Sequence, residues 1–190
     1  MKIYLALALL AAIIVWVIMA RRQSRANNQA IALGHTLPSF SCVLEDGSEV
    51  SSDSLRGGKS VLLFVRGSWC PFCSEQVQSL TDHYRKITEE GGRLIIVTRR
   101  PLDTTKRVAE QFAVKFEFWL DSDLSAAQTL NLIDGEEIPD RFHEDFGRRT
   151  ILPTVLVTDR DNAIRYSYRS AKPSDRPDPS KFMSVFESIA

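Results

Sequence analysis

The chain has 190 residues, 44% of them hydrophobic, and its 24 Lys and Arg balance 24 Asp and Glu. That is enough for one substantial core and too little for two domains of ordinary size. A net charge of zero removes the basic excess on which nucleic-acid binding draws, and three cysteines are too few for a disulfide scaffold.

Residues 3–20, I-Y-L-A-L-A-L-L-A-A-I-I-V-W-V-I-M-A, carry no charge and have the length of a short bilayer-spanning helix. A cleaved signal peptide would have a shorter apolar region ending in small residues spaced for cleavage, which Ile18 and Ala20 fit poorly. Residues 1–20 are therefore expected to be a retained single-pass anchor. Arg21, Arg22 and Arg25 follow the span while Lys2 and the amino terminus precede it, so the flanking charge leans toward a cytoplasmic domain. Residues 21–34 are polar and aperiodic and form a linker, leaving 35–190 as the folded domain.

In that domain, Phe40 to Leu44 alternates as a strand does, which puts Cys42 on one face with its apolar neighbours as a buried core thiol. E-D-G-S then supplies a hairpin turn leading to Val50. Ser60 to Val65 is continuously apolar, as befits a central strand buried on both faces. After it, Val77, Leu80, Tyr84 and Ile87 recur at helical spacing, predicting an amphipathic helix from Pro71 to about Glu90, ended by Gly91 and Gly92. A buried strand over Leu94 to Val97, a helix over Thr104 to Phe112, a strand at F-E-F-W-L and a helix over Leu124 to Leu130 capped by Asp123 follow. Asp134 to Arg149 is charged and broken by Gly and Pro, so an exposed insertion is expected there. T-V-L-V-T and I-R-Y-S-Y form a closing hairpin and Ser180 to Ile189 a last helix. Strand–helix alternation over residues 60–130 implies parallel crossovers, hence an α/β fold with a mixed central sheet and helices on both faces.

Reactive groups in such sheets collect at the carboxyl ends of the strands, where W-C-P-F-C stands. If the helix opens at Pro71, whose fixed φ and missing donor suit the first helical position, Cys70 sits at its N-terminus. Unpaired amides and the macrodipole then favour a thiolate at Cys70, and Cys73, one turn on, is placed to resolve a mixed disulfide. Half of a zinc site is the competing reading, but no second ligand pair exists, and His35, His83 and His143 show no ligand spacing. No metal and no cofactor is expected.

W-C-P-F-C after an apolar strand, together with L-P-S-F-S-C-V-L-E-D-G-S, L-D-S-D-L-S-A-A-Q-T-L-N-L, I-L-P-T-V and the tail R-P-D-P-S-K-F, resembles the thioredoxin-like superfamily, in its peroxiredoxin-like (AhpC/TSA, redoxin) branch. The resemblance covers about residues 35–190 and implies a three-layer thioredoxin-like fold. It implies that Pro153 is a cis-proline facing the dithiol, leaving the preceding backbone able to pair with an extended substrate; a trans-proline opening an edge strand is the alternative. Trp69 and Pro71 would join Pro153 in lining the substrate site, and Trp69 serves equally well as a packing residue. Two features depart from typical peroxiredoxins. With Cys73 at the peroxidatic position of P-x-x-x-T-x-x-C, Arg66 stands at the proline and Cys70 at the threonine. The downstream active-site arginine has no match in Arg148 or Arg149, which precede the strand that Pro153 opens.

The expected function is thus a membrane-tethered thiol-disulfide oxidoreductase in which Cys70 attacks and Cys73 resolves. A thiol peroxidase reducing hydroperoxides and a thioredoxin-fold copper chaperone using His143 are the alternatives. Expected partners are a protein disulfide or dithiol, or a hydroperoxide; an external thiol reductant or oxidant; and the membrane through residues 3–20. The flanking charges favour a cytoplasmic domain, whereas the resemblance favours an extracytoplasmic one.

Overall fold

The computed structural model describes residues 13–17, 30–100, 114, 116–135 and 138–189. The predicted helix over Thr104 to Phe112 lies outside these residues, as does most of the apolar span at 3–20. Residues 13–17 are helical, with Ile13, Ile14, Val15 and Trp16 exposed, and among the described residues no helix is long and apolar enough to cross a membrane.

Seven strands form one sheet in the order β2-β1-β5-β4-β3-β6-β7. The strands are β1 (Ser41–Val43), β2 (Glu49–Ser51), β3 (Ser60–Phe64), β4 (Arg93–Thr98), β5 (Glu117–Leu120), β6 (Thr154–Thr158) and β7 (Ile164–Arg169). The central trio β3, β4 and β5 is parallel, and both outer pairs are antiparallel. Every residue of β3 is buried because both faces of the sheet are covered, which is why its sequence runs apolar rather than alternating.

Val61 and Leu63 face one core with helices α1 (Pro71–Glu89) and α4 (Pro179–Ser188). Val77, Leu80 and Ile87 of α1 and Phe182 and Phe186 of α4 are fully buried there, each contributing about 1.5–3 kcal/mol by area. Leu62 and Phe64 face the other core with Trp119, the short helix α2 (Ser125–Thr129) and the segment carrying Ile31, Leu37 and Phe40. Cys42 packs in this second core, where burial pushes its thiol up to about 12.

Three expectations are corrected. Helix α2 is shorter than predicted, and its principal cap is not Asp123. Asp123 accepts the Ser125 amide at 3.0 Å, while the buried Asp121 accepts those of Ala126 and Ala127 at 3.0 and 2.8 Å. Leu124, at φ 66°, bends the chain so that the earlier aspartate reaches the helix end.

The segment from Asp134 to Arg149 is not a free insertion. A 3-10 turn (Asp140–Phe142) and helix α3 (His143–Phe146) bury Ile138 and Phe146, and backbone bonds tie Asp134 to Thr150 and Ile138 to Arg148. Two apolar anchors eight residues apart hold a ribbon whose charges stay outside.

Pro153, finally, is trans, since no cis peptide bond occurs among the described residues, and the strand it precedes is interior rather than at an edge.

Candidate active site

The site forms where β3 runs out. The Val65 amide still donates to Val97 at 3.0 Å, and the chain then turns through Gly67 into α1. Gly67 has φ 139°, and a Cβ there would meet Trp69 Nε1 at 2.9 Å and a Phe146 ring carbon at 3.0 Å, so this turn needs glycine. Pro71 opens α1 and Cys70 is its N-cap; the Cys70 carbonyl accepts the amides of Cys73 and Ser74 at 3.1 and 3.3 Å.

Both cysteines are free thiols. The neighbouring Cys73 thiol is the main reason the Cys70 pKa falls to about 6, against the opposing effect of burial; the Cys73 amide and the charges of Arg176 and Arg66 add to it. Cys73 moves the other way, well above the ordinary thiol value, because its proton is held by Cys70 and it is buried. The pair therefore divides into one thiolate and one thiol at neutral pH.

Neither sulfur lies open. Cys73 is fully buried and Cys70 is only 2% exposed, although its chain neighbours Pro71 and Phe72 are exposed and Trp69 is half-buried. Cys70 stands one layer beneath the surface.

Arg176 crosses the remaining gap. Its Nη2 lies 3.2 Å from Cys73 Sγ and 3.9 Å from Cys70 Sγ, and its Nη1 donates to the carbonyls of Pro173 and Asp175. The loop that carries it is fixed by Tyr168, whose hydroxyl donates to Asp175 at 2.6 Å, and by the Ser170 hydroxyl, which donates to the Asp175 carbonyl.

Sequence reasoning gave Arg176 no role, because more than a hundred positions separate it from the thiols. Arg148 and Arg149, the arginines it considered, stand on the wrong side of the final hairpin. Arg66, likewise unassigned, is buried with Asp134 at 3.5 Å and has its guanidinium 4.6 Å above the Trp69 ring. Its amide donates to Cys73 Sγ at 3.4 Å.

Trp69 packs against Phe142 with ring centroids 5.7 Å apart, so its packing role is realised directly. Pro153 lies beside the site by register, since Thr154 pairs with Phe64. The backbone before it is nevertheless taken: the Leu152 amide donates to the Leu132 carbonyl at 2.7 Å, and its carbonyl accepts the Thr154 hydroxyl at 3.0 Å. An Ile133–Ile151 bridge completes this internal pairing, which occupies the position the resemblance reserved for substrate. His143 is engaged within its own turn by the Ile138 carbonyl and the Asp140 carboxylate. Among the described residues no group of three metal-ligating side chains forms.

The lowered thiol gives a direct measurement. Iodoacetamide labelling of Cys70 in the reduced protein should follow one ionisation with its midpoint near pH 6, since only the thiolate reacts. Arg176→Gln removes a charge that favours the thiolate and should raise the midpoint by about one unit. Labelling then slows about fivefold near pH 6 and is little changed above about pH 8.

A parallel-centred sheet with helices on both faces and a CxxC that opens a helix beyond the carboxyl end of β3 defines a thioredoxin-like protein. The chain belongs to the AhpC/TSA family, whose pattern matches residues 33–167. Among characterised relatives it is similar to the thiol-disulfide oxidoreductase ResA of Bacillus thuringiensis (strain Al Hakam), 26% identical over 97 residues, covering 50% of this chain and 56% of that protein. It thus spans little more than half the length of the first relatives it matches. ResA of Geobacillus thermodenitrificans is 27% identical over 146 residues, with 76% and 80% covered. Among solved structures, peroxidoxin BcpB of Mycobacterium tuberculosis aligns with a TM-score of 0.65 at 17% identity, covering 84% of this chain and 99% of that one. A cysteine-to-serine mutant of peroxiredoxin 6 from Arenicola marina aligns at 0.69 and 17%, with 83% and 73% covered. These two likenesses establish the fold alone.

Proposed function

We propose that the protein is a membrane-tethered thiol-disulfide oxidoreductase that works through the Cys70–Cys73 dithiol. The observation that carries this reading is the placement of the pair, with Cys70 at the N-cap of α1, Cys73 one turn on, and Arg176 Nη2 3.9 and 3.2 Å from their sulfurs. The thiolate attacks one sulfur of a partner disulfide; the S–S bond breaks, and the departing sulfur leaves as thiolate and takes a proton. Cys73 then loses its proton and attacks Cys70 Sγ in the mixed disulfide, releasing the second partner thiol. Two electrons pass from the enzyme to the substrate, and an external dithiol restores the reduced pair. With an external oxidant the same steps run in reverse. The ResA relatives, named for this activity, support the reading. Residues 3–20 form the tether in this account, supported by the exposed apolar helical residues Ile13, Ile14, Val15 and Trp16.

A second reading, hydroperoxide reduction, is favoured by one observation: Arg176 Nη2 lies 3.2 Å from Cys73 Sγ, where it could stabilise the oxygen leaving a peroxide. There the attacking sulfur takes one peroxide oxygen as sulfenic acid, the other leaves as alcohol or water, and the second thiol expels water to close the disulfide. Insulin reduction with dithiothreitol as electron donor, run beside hydroperoxide consumption, separates the two. The exchange reading expects the full chain to accelerate insulin reduction and to consume peroxide slowly. Rapid peroxide turnover without insulin reduction would overturn it.

A further inference from the structure

The usual approach beside Pro153 is filled by the chain's own residues 132–133, so a protein substrate needs another surface leading to Cys70. A groove of about 290 Å³ begins at the exposed ring of Phe72 and runs between the first turns of α1 and the Pro177–Pro179 stretch that opens α4. Arg176 lines this groove and also lies 3.2 and 3.9 Å from the two sulfurs, so the groove ends against the side chain that covers the thiols.

Gln76 forms part of the same wall. It is only 5% exposed, and its Oε1 is buried with no hydrogen-bond partner, an arrangement that costs free energy unless a donor arrives. The surrounding wall offers both kinds of group: Arg176 brings a buried Nε with no hydrogen-bond partner, and the other polar groups are mainly acceptors. Ser79 spends its hydroxyl proton on the Gln76 carbonyl at 2.7 Å, Glu75 is a carboxylate, and Pro177 and Pro179 have no amide hydrogen. Phe72, at 40% exposure, is the exposed large apolar side chain of the folded domain nearest the thiols in sequence.

We propose that this groove receives an extended segment of the partner protein next to its reactive cysteine. A backbone amide of that segment donates to Gln76 Oε1, and an apolar side chain covers Phe72. The inference rests on the disulfide-exchange reading and names the surface by which that reaction selects a polypeptide disulfide over a small one. An extended peptide fits because its backbone brings amide donors and carbonyl acceptors at regular spacing to a wall that holds an unpartnered acceptor in Gln76 Oε1 and an unpartnered donor in Arg176 Nε.

The test compares two substrates on the full-length chain in detergent: insulin, and the small disulfide 5,5′-dithiobis(2-nitrobenzoate). For each of Phe72→Ala and Gln76→Leu, the ratio of kcat/KM for insulin to that for the small disulfide should fall by about fivefold or more, through a higher KM for insulin. Phe72→Ala alters an exposed side chain and so reports on docking whether or not the buried Gln76→Leu change perturbs folding. Reaction of the wild-type chain with both disulfides, and a ratio unchanged by either variant, would overturn the groove while leaving disulfide exchange standing; Gln76 Oε1 would then be met by water alone. Failure of the wild type to react with either disulfide would instead sink the exchange reading and the groove with it.

Discussion

Cys70→Ser is expected to lower insulin reduction by on the order of 10³-fold or more, to the rate of the uncatalysed reaction with dithiothreitol. The loss is this large because the reaction depends on a sulfur anion already present at neutral pH. Cys70 provides one through its pKa of about 6, whereas a serine hydroxyl in the same position stays protonated and forms no disulfide. Cys73→Ser has a different signature. It leaves a nucleophile at 70 but removes both the resolving sulfur and the thiol proton that contributes most to the Cys70 shift. Mixed disulfides should therefore accumulate on Cys70, visible on non-reducing gels and by mass spectrometry. The Cys70 labelling midpoint should also rise, because a serine hydroxyl replaces the thiol donor in altered geometry. Normal turnover by Cys70→Ser would remove the assignment of the attacking group.

Asp134→Ala should destabilise the fold by about 3–5 kcal/mol, lowering the thermal midpoint by about 10 °C. The side chains of Arg66 and Asp134 are 6% and 9% exposed and 3.5 Å apart, so removing the carboxylate takes away a buried charge partner of a guanidinium that packs on the Trp69 ring. The double variant Arg66→Met/Asp134→Leu should recover most of the loss, since neither charge then needs solvation. One functional consequence has a definite sign. Arg66 already lowers the Cys70 pKa, so Asp134→Ala, which removes a negative charge beside it, should move the labelling midpoint further down. Thermal denaturation followed by circular dichroism, with labelling on the same samples, measures both. A midpoint within about 2 °C of wild type would show that the pair is worth no more than a surface ion pair.

The parts of this site legible in the sequence are those set by neighbours along the chain. Cys70, Pro71 and Cys73 lie within one turn of helix, so the cap position and the proline at the first helical position follow from local backbone geometry, whereas the lowering at Cys70 comes chiefly from the Cys73 side chain. The apolar run at 60–65 marked a strand covered on both faces, and the alternation around Cys42 marked a buried thiol. Turn residues placed both hairpins to within a residue or two.

What was not legible depended on segments far apart in the chain meeting across the sheet. Asp121 displaced Asp123 as the cap of α2 because a left-handed residue at Leu124 redirected the chain. Residues 132–133 closed the backbone beside Pro153, removing a docking edge that residues 151–155 alone would leave open.

The sequence by itself determined an α/β chain with a pair of cysteines in the first turn of a helix, because hydrophobic period and first-turn spacing act over distances the local backbone fixes. Only the tertiary structure decided that Arg176, 103 residues beyond Cys73, should reach both sulfurs, and that Arg66 and Asp134 should be buried behind them. Charges act through space at a few ångströms, and which charges come that close is set by how β7, α4 and the segment before β6 fold back onto the start of α1.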